Sequence, residues 1–248
     1  MTTIDLNADL GELPGDEGRA LDAAILAHVT SVSVACGGHA GDAETMKATF
    51  EAAQAAGVAV GVHPSYPDRD GFGRRSIEIS TEALTETLAE QVALAVDVAG
   101  ATGTTLRHLK PHGALYHDAR QGTVATVVVD CARRHRLALY GPPDGEIVRV
   151  ATEYGVPYCG EGFADRAYRD GVMVPRSEPG AVIDDESLQA DQAVRLALGE
   201  AWADGPAGAP IRTICLHGDT RGAASAAAAL RRAIEGAGVR VAAPSWPA

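Results

Sequence analysis

Four apolar runs of the sequence end in a histidine beside glycine or proline, at His39, His63, His112 and His217. A fifth run ends in a carboxylate, Asp9. Short apolar runs that alternate with helical patterns indicate a parallel sheet, and the carboxyl ends of its strands face one common mouth. Imidazole and carboxylate groups at that mouth can transfer protons, and we therefore expect an active site there.

Lysine is rare in this chain. Of the 21 basic residues, only Lys47 and Lys110 are lysines. The chain uses arginine at the other basic positions. A lysine in such a chain suggests a site that needs a compact ammonium group, which the larger, planar guanidinium of arginine cannot replace. Lys110 lies two residues before His112, and residues i and i+2 of a strand point to the same face. We expect the Lys110 amine and the His112 imidazole to converge on one ligand, in a mouth that water reaches.

Two irregular segments, residues 63–75 and 163–176, concentrate arginine in an otherwise acidic chain. The first contains the pair Arg74 and Arg75, and the second ends at Arg176. Guanidinium groups bind carboxylate or phosphate through two parallel hydrogen bonds, and glycines in the first segment allow the backbone to approach a ligand. These segments indicate an anionic small-molecule ligand. The alternative interpretation is a pair of solvated loops held by Asp–Arg pairs.

Composition limits the classes of protein. A chain of 248 residues, 46% of them hydrophobic, can bury a large core, and we expect one domain over residues 1–248. The net charge of −12 opposes binding to nucleic acid or anionic membrane. The sequence lacks a signal-peptide pattern and any run of roughly 20 apolar residues, so a cytoplasmic protein is expected. The four cysteines are interpreted as free thiols in packing positions: Cys36, Cys131, Cys159 and Cys215.

Strand and helix patterns alternate along the chain. Strands are predicted at residues 4–9, 29–36, 58–63, 105–110, 137–141, 156–160 and 212–217. Helices are predicted at residues 43–56, 80–100, 121–135, 145–154, 185–203 and 221–237, with a surface loop at 203–210. For the helix at 43–56, we expect Asp42 to cap the start, Met46, Phe50 and Ala53 to share a face, and Gly57 to close the end. Seven strands, most followed by a helix, favour an α/β barrel over an open sheet.

Eight segments resemble the signature segments of the LamB/YcsF family and keep their order. They are residues 7–12, 35–42, 63–68, 71–75, 110–116, 163–166, 174–176 and 217–219. The resemblance covers residues 4 to about 240 and implies a distorted (β/α)7 barrel of the glycoside hydrolase/deacetylase type. The chain departs from the family pattern at residues 13–15, at 31–33 and at Gly38, where the family commonly has phenylalanine.

The resemblance also implies an activity and partners. It implies ATP-coupled opening of 5-oxo-L-proline to L-glutamate, together with separate 5-oxoprolinase B and C subunits. The sequence contains neither a Gly-x-x-x-x-Gly-Lys-Ser/Thr phosphate loop nor a Gly-x-Gly-x-x-Gly fingerprint. We therefore expect ATP, with its magnesium, to bind largely through a partner subunit. No tightly bound transition metal is expected.

The expected roles combine the resemblance with the chemistry of lactam opening. Asp9, with His39 or His63, is the candidate general base. Lys110 and His112 are the candidate partners of the oxyanion or phosphate, and Arg75 is the candidate anchor of the substrate carboxylate. The other expected substrate-binding residues are Asn7, Glu12, Arg74, Arg176, His217 and Asp219. His28, His108 and His135 are interpreted as structural, and the role of His117 is left open.

Two alternatives stay open at this point. Asp9, His39 and His63 would suit a divalent metal with an open position for water, as in a metal-dependent deacetylase. The chain could instead be a non-catalytic subunit that holds the lactam for the active site of a partner.

Overall fold

The computed structural model describes residues 2–176, 178–200, 210–218 and 222–245. Within these ranges the strands are β1 (Thr3–Leu10), β2 (Ser31–Ala35), β3 (Ala59–His63), β4 (Leu106–Leu109), β5 (Ala138–Gly141), β6 (Tyr158–Phe163), β7 (Tyr168–Arg169), β8 (Val172–Met173), β9 (Ile211–His217) and β10 (Arg240–Val241). The seven predicted strands are confirmed as β1 to β6 and β9. The short strands β7, β8 and β10 were not predicted.

The helices of the same ranges are α1 (Gly15–Leu26), α2 (Ala43–Ala55), α3 (Thr81–Thr102), α4 (Gly113–Asp118), α5 (Gly122–Arg134), α6 (Glu146–Glu153), α7 (Glu186–Leu198) and α8 (Ala223–Gly236). The six predicted helices are confirmed within the described residues, except that the helix predicted at 185–203 already ends at Leu198, where Gly199 adopts a left-handed conformation. Helices α1 and α4 were not predicted. Residues 201–209, which contain most of the predicted loop, and the predicted helix start at 221 lie outside the described residues. None of the described helices combines the length and apolarity that a membrane crossing requires.

Seven parallel strands close into a barrel. Strand β1 pairs with β2 on one side and with β9 on the other, and β9 also pairs with β6. The barrel is irregular, because the register shifts between Val60 and Gly61 on β3 and between Gly160 and Glu161 on β6. Closure confirms the predicted distorted α/β barrel. It also places Asp9 level with His217, its partner in the β1–β9 register.

Helix α2 follows the predicted pattern. The Asp42 side chain accepts a hydrogen bond from the Thr45 backbone amide at 2.8 Å, which satisfies a donor that the helix leaves free. Met46, Phe50 and Ala53 are fully buried against the barrel. Gly57 has a φ of +70°, a conformation that glycine adopts without steric cost, and the chain there turns into β3.

The barrel interior is polar at the level of Asp5. The Asp5 carboxylate is buried and accepts hydrogen bonds from Thr30, Ser31 and Thr213 at 2.6 to 2.7 Å. His108 lies in the same interior, 3.1 Å from Ser33 Oγ, and burial lowers its pKa to about 3. The His108 ring therefore stays neutral at neutral pH, in agreement with the structural role that the sequence suggested.

Helix α1 adds a buried carboxylate, Asp22. One of its oxygens accepts hydrogen bonds from the Gly11 amide at 3.0 Å and from Thr49 Oγ1 at 3.1 Å. Burial nevertheless raises the pKa of Asp22 to about 6, because the two hydrogen bonds only partly offset the loss of hydration.

We predict a pH-dependent stability effect for Asp22→Asn. Folding raises the Asp22 pKa, so the stability that its proton provides is fully present at about pH 4 and is lost as the pH rises through about 6. The rise of the Asp22 pKa to about 6 corresponds to about 3 kcal/mol of stability. The free energy of unfolding of the Asn variant, measured relative to wild type by urea denaturation, should therefore rise between about pH 4 and pH 7. Thr49→Val, which keeps the carboxyl group, is the control, and an Asn variant whose relative stability does not change with pH would contradict the assignment.

Candidate active site

The Lys110 ammonium lies at the centre of the barrel mouth. Its Nζ atom contacts Asp9 Oδ1 at 2.8 Å, Glu161 Oε1 at 3.0 Å and Asn7 Oδ1 at 3.2 Å. It also lies 2.9 Å from Cys215 Sγ. Lys110 is only 1% exposed, so the expectation that water freely reaches this ammonium was wrong.

The three ionisable groups of this cluster, Lys110, Asp9 and Glu161, differ in how their surroundings change their pKa values. Burial alone would lower the pKa of Lys110, but the Asp9 charge outweighs it and holds that pKa well above its ordinary value. Burial would raise the pKa of Asp9, but the adjacent His63 ring and the Lys110 ammonium hold it well below its ordinary value. For Glu161, burial dominates and raises the pKa, and its Oε2 atom is buried without a hydrogen-bond partner among the described residues. Asp9 and Lys110 are therefore the charged pair.

Three histidines and a carboxylate form a second cluster beside Asp9. His63 Nε2 lies 3.4 Å from Asp9 Oδ2 and 3.0 Å from His112 Nδ1. Glu12 Oε1 lies 3.0 Å from His39 Nε2 and 3.5 Å from His112 Nδ1. One donor atom from each of Glu12, His39, His63 and His112 lies within 4.8 Å of the others. Asp9 is outside this set, so the group differs from the metal set Asp9, His39 and His63 that the sequence offered as an alternative.

Backbone carbonyl groups fix the orientation of two of these rings. His63 Nδ1 donates to the Lys110 carbonyl at 2.8 Å, and His112 Nε2 donates to the Phe72 carbonyl at 2.9 Å. The carbonyl of Phe72 is aimed by an unusual backbone, since this residue has a φ of +53°. Burial lowers the pKa of His112 well below its ordinary value, so that ring is neutral at neutral pH.

A cavity of about 720 Å³ opens above Asp9 and Lys110. His63, His112 and His217 also reach it, so the structure brings most of the predicted catalytic side chains to one space. Val172 and Met173 of the β7–β8 hairpin form part of its wall. The other cationic and polar side chains that line it include Arg74, Ser76, His117, Arg120, Arg166 and Arg176.

The two adjacent arginines of the first irregular segment are placed differently. Arg74 lines the cavity, and its guanidinium carbon lies 4.8 Å from the centroid of the Phe72 ring. Arg75 forms an ion pair with Asp68, its side chain is 64% exposed, and it does not line the cavity. The structure therefore does not bring the predicted carboxylate anchor, Arg75, to the site.

The other predicted substrate-binding residues take different positions. Asn7 is buried beneath Lys110, and Glu12 lies behind the cavity wall against His39. His217 lines the cavity and is oriented by Asp165, whose Oδ2 atom accepts from His217 Nδ1 at 2.8 Å. Asp219 lies outside the described residues.

Sequence reasoning missed two members of the Lys110 cluster. Glu161 lies inside the buried strand β6, beyond the predicted end at residue 160, and a carboxylate within a buried run signals a paired charge. Cys215 was assigned to packing, but its sulfur contacts the Lys110 ammonium, so that assignment was incomplete. The four cysteines are free and buried, as expected.

Comparison with known proteins identifies the family. The chain matches the LamB/YcsF family over residues 4–247. It belongs to that family. A relative from Chloroflexus aggregans, named as the A subunit of 5-oxoprolinase, is 43% identical, and the match covers 98% of this chain and 100% of the relative. The crystal structure of a lactam utilization protein from Thermus thermophilus superposes with a TM-score of 0.85 at 34% identity, over 97% of this chain and 99% of that chain.

A more distant structure shares the fold alone. The catalytic domain of a peptidoglycan N-acetylglucosamine deacetylase from Eubacterium rectale has a TM-score of 0.53 at 12% identity, over 99% of this chain and 90% of that chain. This likeness shows that the two proteins share the barrel fold.

The departures from the family pattern lie away from the cavity. None of residues 13–15 and Gly38 is among the described residues that line it. A Cβ atom on Gly38 would lie 2.3 Å from Gln91 Oε1 and 2.4 Å from Ser65 Oγ, so a larger residue at this position would require these two side chains to shift.

We predict that Lys110→Met destabilises the fold by about 3 to 5 kcal/mol, because it leaves the Asp9 carboxylate buried without its cation. The double variant Asp9→Asn/Lys110→Met removes both charges and should lose less than the two single variants combined, as measured by urea denaturation. Lys47→Met, at an exposed position, is the control and should retain wild-type stability. Losses that add fully in the double variant would contradict the pairing.

Proposed function

We propose that this LamB/YcsF protein opens the ring of 5-oxo-L-proline to give L-glutamate, as the A component of an ATP-dependent, multi-subunit 5-oxoprolinase. Near-full-length relatives that carry the name of this A component support the activity and the need for partner subunits. The observation that carries the proposal is the cavity itself, in which a buried Asp9–Lys110 pair lies beneath a wall rich in arginine.

The chemistry explains the need for ATP. A lactam is a resonance-stabilised amide, and glutamate tends to cyclise, so ring opening needs both activation of the carbonyl and a source of free energy. Phosphorylation of the amide oxygen would supply both. Phosphoryl transfer depends on groups that position nucleotide phosphates and magnesium, and we place that step on the B and C subunits. This chain then receives an activated, anionic lactam.

Hydrolysis of the activated lactam needs a base for water and cations for the developing negative charge. Asp9, together with His63, is the candidate base, because both side chains line the cavity and Asp9 Oδ2 lies 3.4 Å from His63 Nε2. Lys110 faces the cavity beside it and would stabilise the oxyanion or phosphate. His112 also lines the cavity, but its Nε2 proton is donated to the Phe72 carbonyl, so we leave this role to Lys110. We assign the binding of the substrate carboxylate to Arg74 and Arg176 rather than to Arg75, because Arg74 and Arg176 line the cavity.

We predict that the purified chain releases no glutamate from 5-oxoproline and ATP by itself, and that glutamate release appears when the B and C subunits are added. The Asp9→Asn variant should abolish release in the mixture, because it removes the candidate base. Glutamate is measured for the chain, the partners and the mixture. Release by the chain alone at the rate of the mixture would refute the division of labour.

A separate experiment distinguishes a catalytic from a non-catalytic role of this chain. The chain alone is incubated with the cyclic O-methyl imidate of 5-oxoproline, a lactam already activated at oxygen. Water adds to the imidate carbon and the carbon–nitrogen bond breaks, so the product is the γ-methyl ester of glutamate. Acceleration of this reaction by wild type and not by Asp9→Asn supports hydrolysis in this cavity, whereas no acceleration supports a binding role.

We predict that Arg74→Gln raises the KM for 5-oxoproline about tenfold or more in the reconstituted mixture, since a charged hydrogen bond to the substrate carboxylate is lost. Its neighbour offers a matched control. Arg75→Gln breaks only an exposed ion pair with Asp68 and should leave KM near the wild-type value. Equal effects of the two substitutions would contradict the placement of the anchor.

A further inference from the structure

Two imidazole rings of the cavity wall turn lone pairs toward each other. His63 Nδ1 and His112 Nε2 each donate a proton to a backbone carbonyl, at 2.8 Å and 2.9 Å. When both rings are neutral, each carries one proton, so the remaining nitrogens, His63 Nε2 and His112 Nδ1, both present lone pairs. These two nitrogens are 3.0 Å apart. Two lone pairs at this distance repel each other unless an electrophile, either a proton or a metal ion, lies between them.

The surroundings of this nitrogen pair suit a divalent cation. Two carboxylates border the nitrogen pair, with Glu12 Oε1 3.5 Å from His112 Nδ1 and Asp9 Oδ2 3.4 Å from His63 Nε2. Both carboxylates are buried, so their negative charge stabilises a divalent cation more strongly than it would at the surface.

The hydrogen bonds to the carbonyl groups match those of metal-binding histidines. Such histidines almost always donate their second ring nitrogen to a carbonyl or carboxylate, which fixes the tautomer and the ring orientation. Four-coordinate zinc with bonds of about 2.0 to 2.1 Å places its ligand atoms about 3.3 Å apart. The separations of 3.0 Å between the two nitrogens and 3.5 Å from His112 to Glu12 bracket that value.

His39 has a different place in the cluster. Its ring is stacked on His112, with centroids 3.6 Å apart and planes 6° from parallel. One ion cannot lie in the plane of both rings, so His39 and His112 cannot both be well-aligned ligands. His39 Nε2 instead lies 3.0 Å from Glu12 Oε1, where it can donate a hydrogen bond that orients this carboxylate. His39 is therefore a positioning residue.

We propose that His63 Nε2, His112 Nδ1 and Glu12 Oε1 bind one divalent transition metal ion of the zinc class, with Glu12 oriented by His39. This set shares only His63 as a ligand with the alternative set Asp9, His39 and His63. It also runs against the sequence-based expectation that no transition metal is tightly bound. A zinc-class ion in such a site lowers the pKa of a bound water. Metal binding is measured without substrate, so its outcome does not depend on the proposed function.

The test is titration of the full-length, chelator-treated chain with ZnCl2 in a calorimeter. We expect one equivalent of zinc per chain. His112→Ala and Glu12→Gln should weaken binding about 100-fold or more, because each removes a ligand. His39→Gln should weaken binding about 10-fold to 100-fold, the range typical of residues that orient a ligand. His117→Gln, a cavity histidine outside the cluster, is the matched control and should bind as wild type does.

Further measurements keep the proposal falsifiable if a variant fails to fold. Co²⁺ added to the wild-type chain should give the intense visible absorption of a four-coordinate ion, and melting curves without metal report folding of each variant. Absence of a stoichiometric site in the wild type would overturn the proposal. It would also be overturned if Glu12→Gln bound zinc as wild type does, or if Asp9→Asn abolished binding while Glu12→Gln did not.

Discussion

Burial of one ammonium, that of Lys110, constrains the centre of the molecule. A buried charge is tolerated only with good partners, and these come from different strands: Asp9 from β1, Glu161 from β6 and Cys215 from β9. Lys110 itself follows β4. The contacts therefore require the strands to surround the ammonium, which is the arrangement that barrel closure creates. The same pair leaves Asp9 ionised beside the cavity, so the packing of the barrel and the chemistry of the site share one interaction.

The histidine cluster depends on the loops rather than on the strands. Phe72 adopts a positive φ, which costs energy for a residue with a bulky side chain, and in this conformation its carbonyl accepts from His112. The following residue, Gly73, approaches the α4 segment so closely that a Cβ atom on Gly113 would lie 2.4 Å from the Gly73 carbonyl oxygen. The strained turn and the close backbone contact hold the ring of His112 against His63. Strain of this kind is typical of sites whose geometry must be set before a ligand arrives.

The strands and their polar ends could be predicted because buried parallel strands are continuous apolar runs, and a shared register brings Asp9 and His217 to the same level. Side-chain direction within loops could not be predicted. Arg74 and Arg75 are equivalent in sequence, and only the ion pair with Asp68 shows which one turns away from the cavity. The β7–β8 hairpin was missed although Asp170 and Gly171, both with positive φ, form a favoured two-residue turn. Helix α1 was missed because few large apolar residues mark its buried face.

The seclusion of Lys110 has a practical consequence for work with this protein. The chain has two lysines, and the side chain of Lys47 on α2 is 61% exposed whereas that of Lys110 is 2% exposed. Acylating reagents attack an amine that is both unprotonated and accessible. The amine of Lys110 is buried, and its contact with Asp9 keeps it protonated. Amine-directed fluorophores or resin linkers will therefore react with the Lys47 side chain and not with that of Lys110. The folded protein can thus be dyed or immobilised through its lysine chemistry while the cavity floor stays chemically intact.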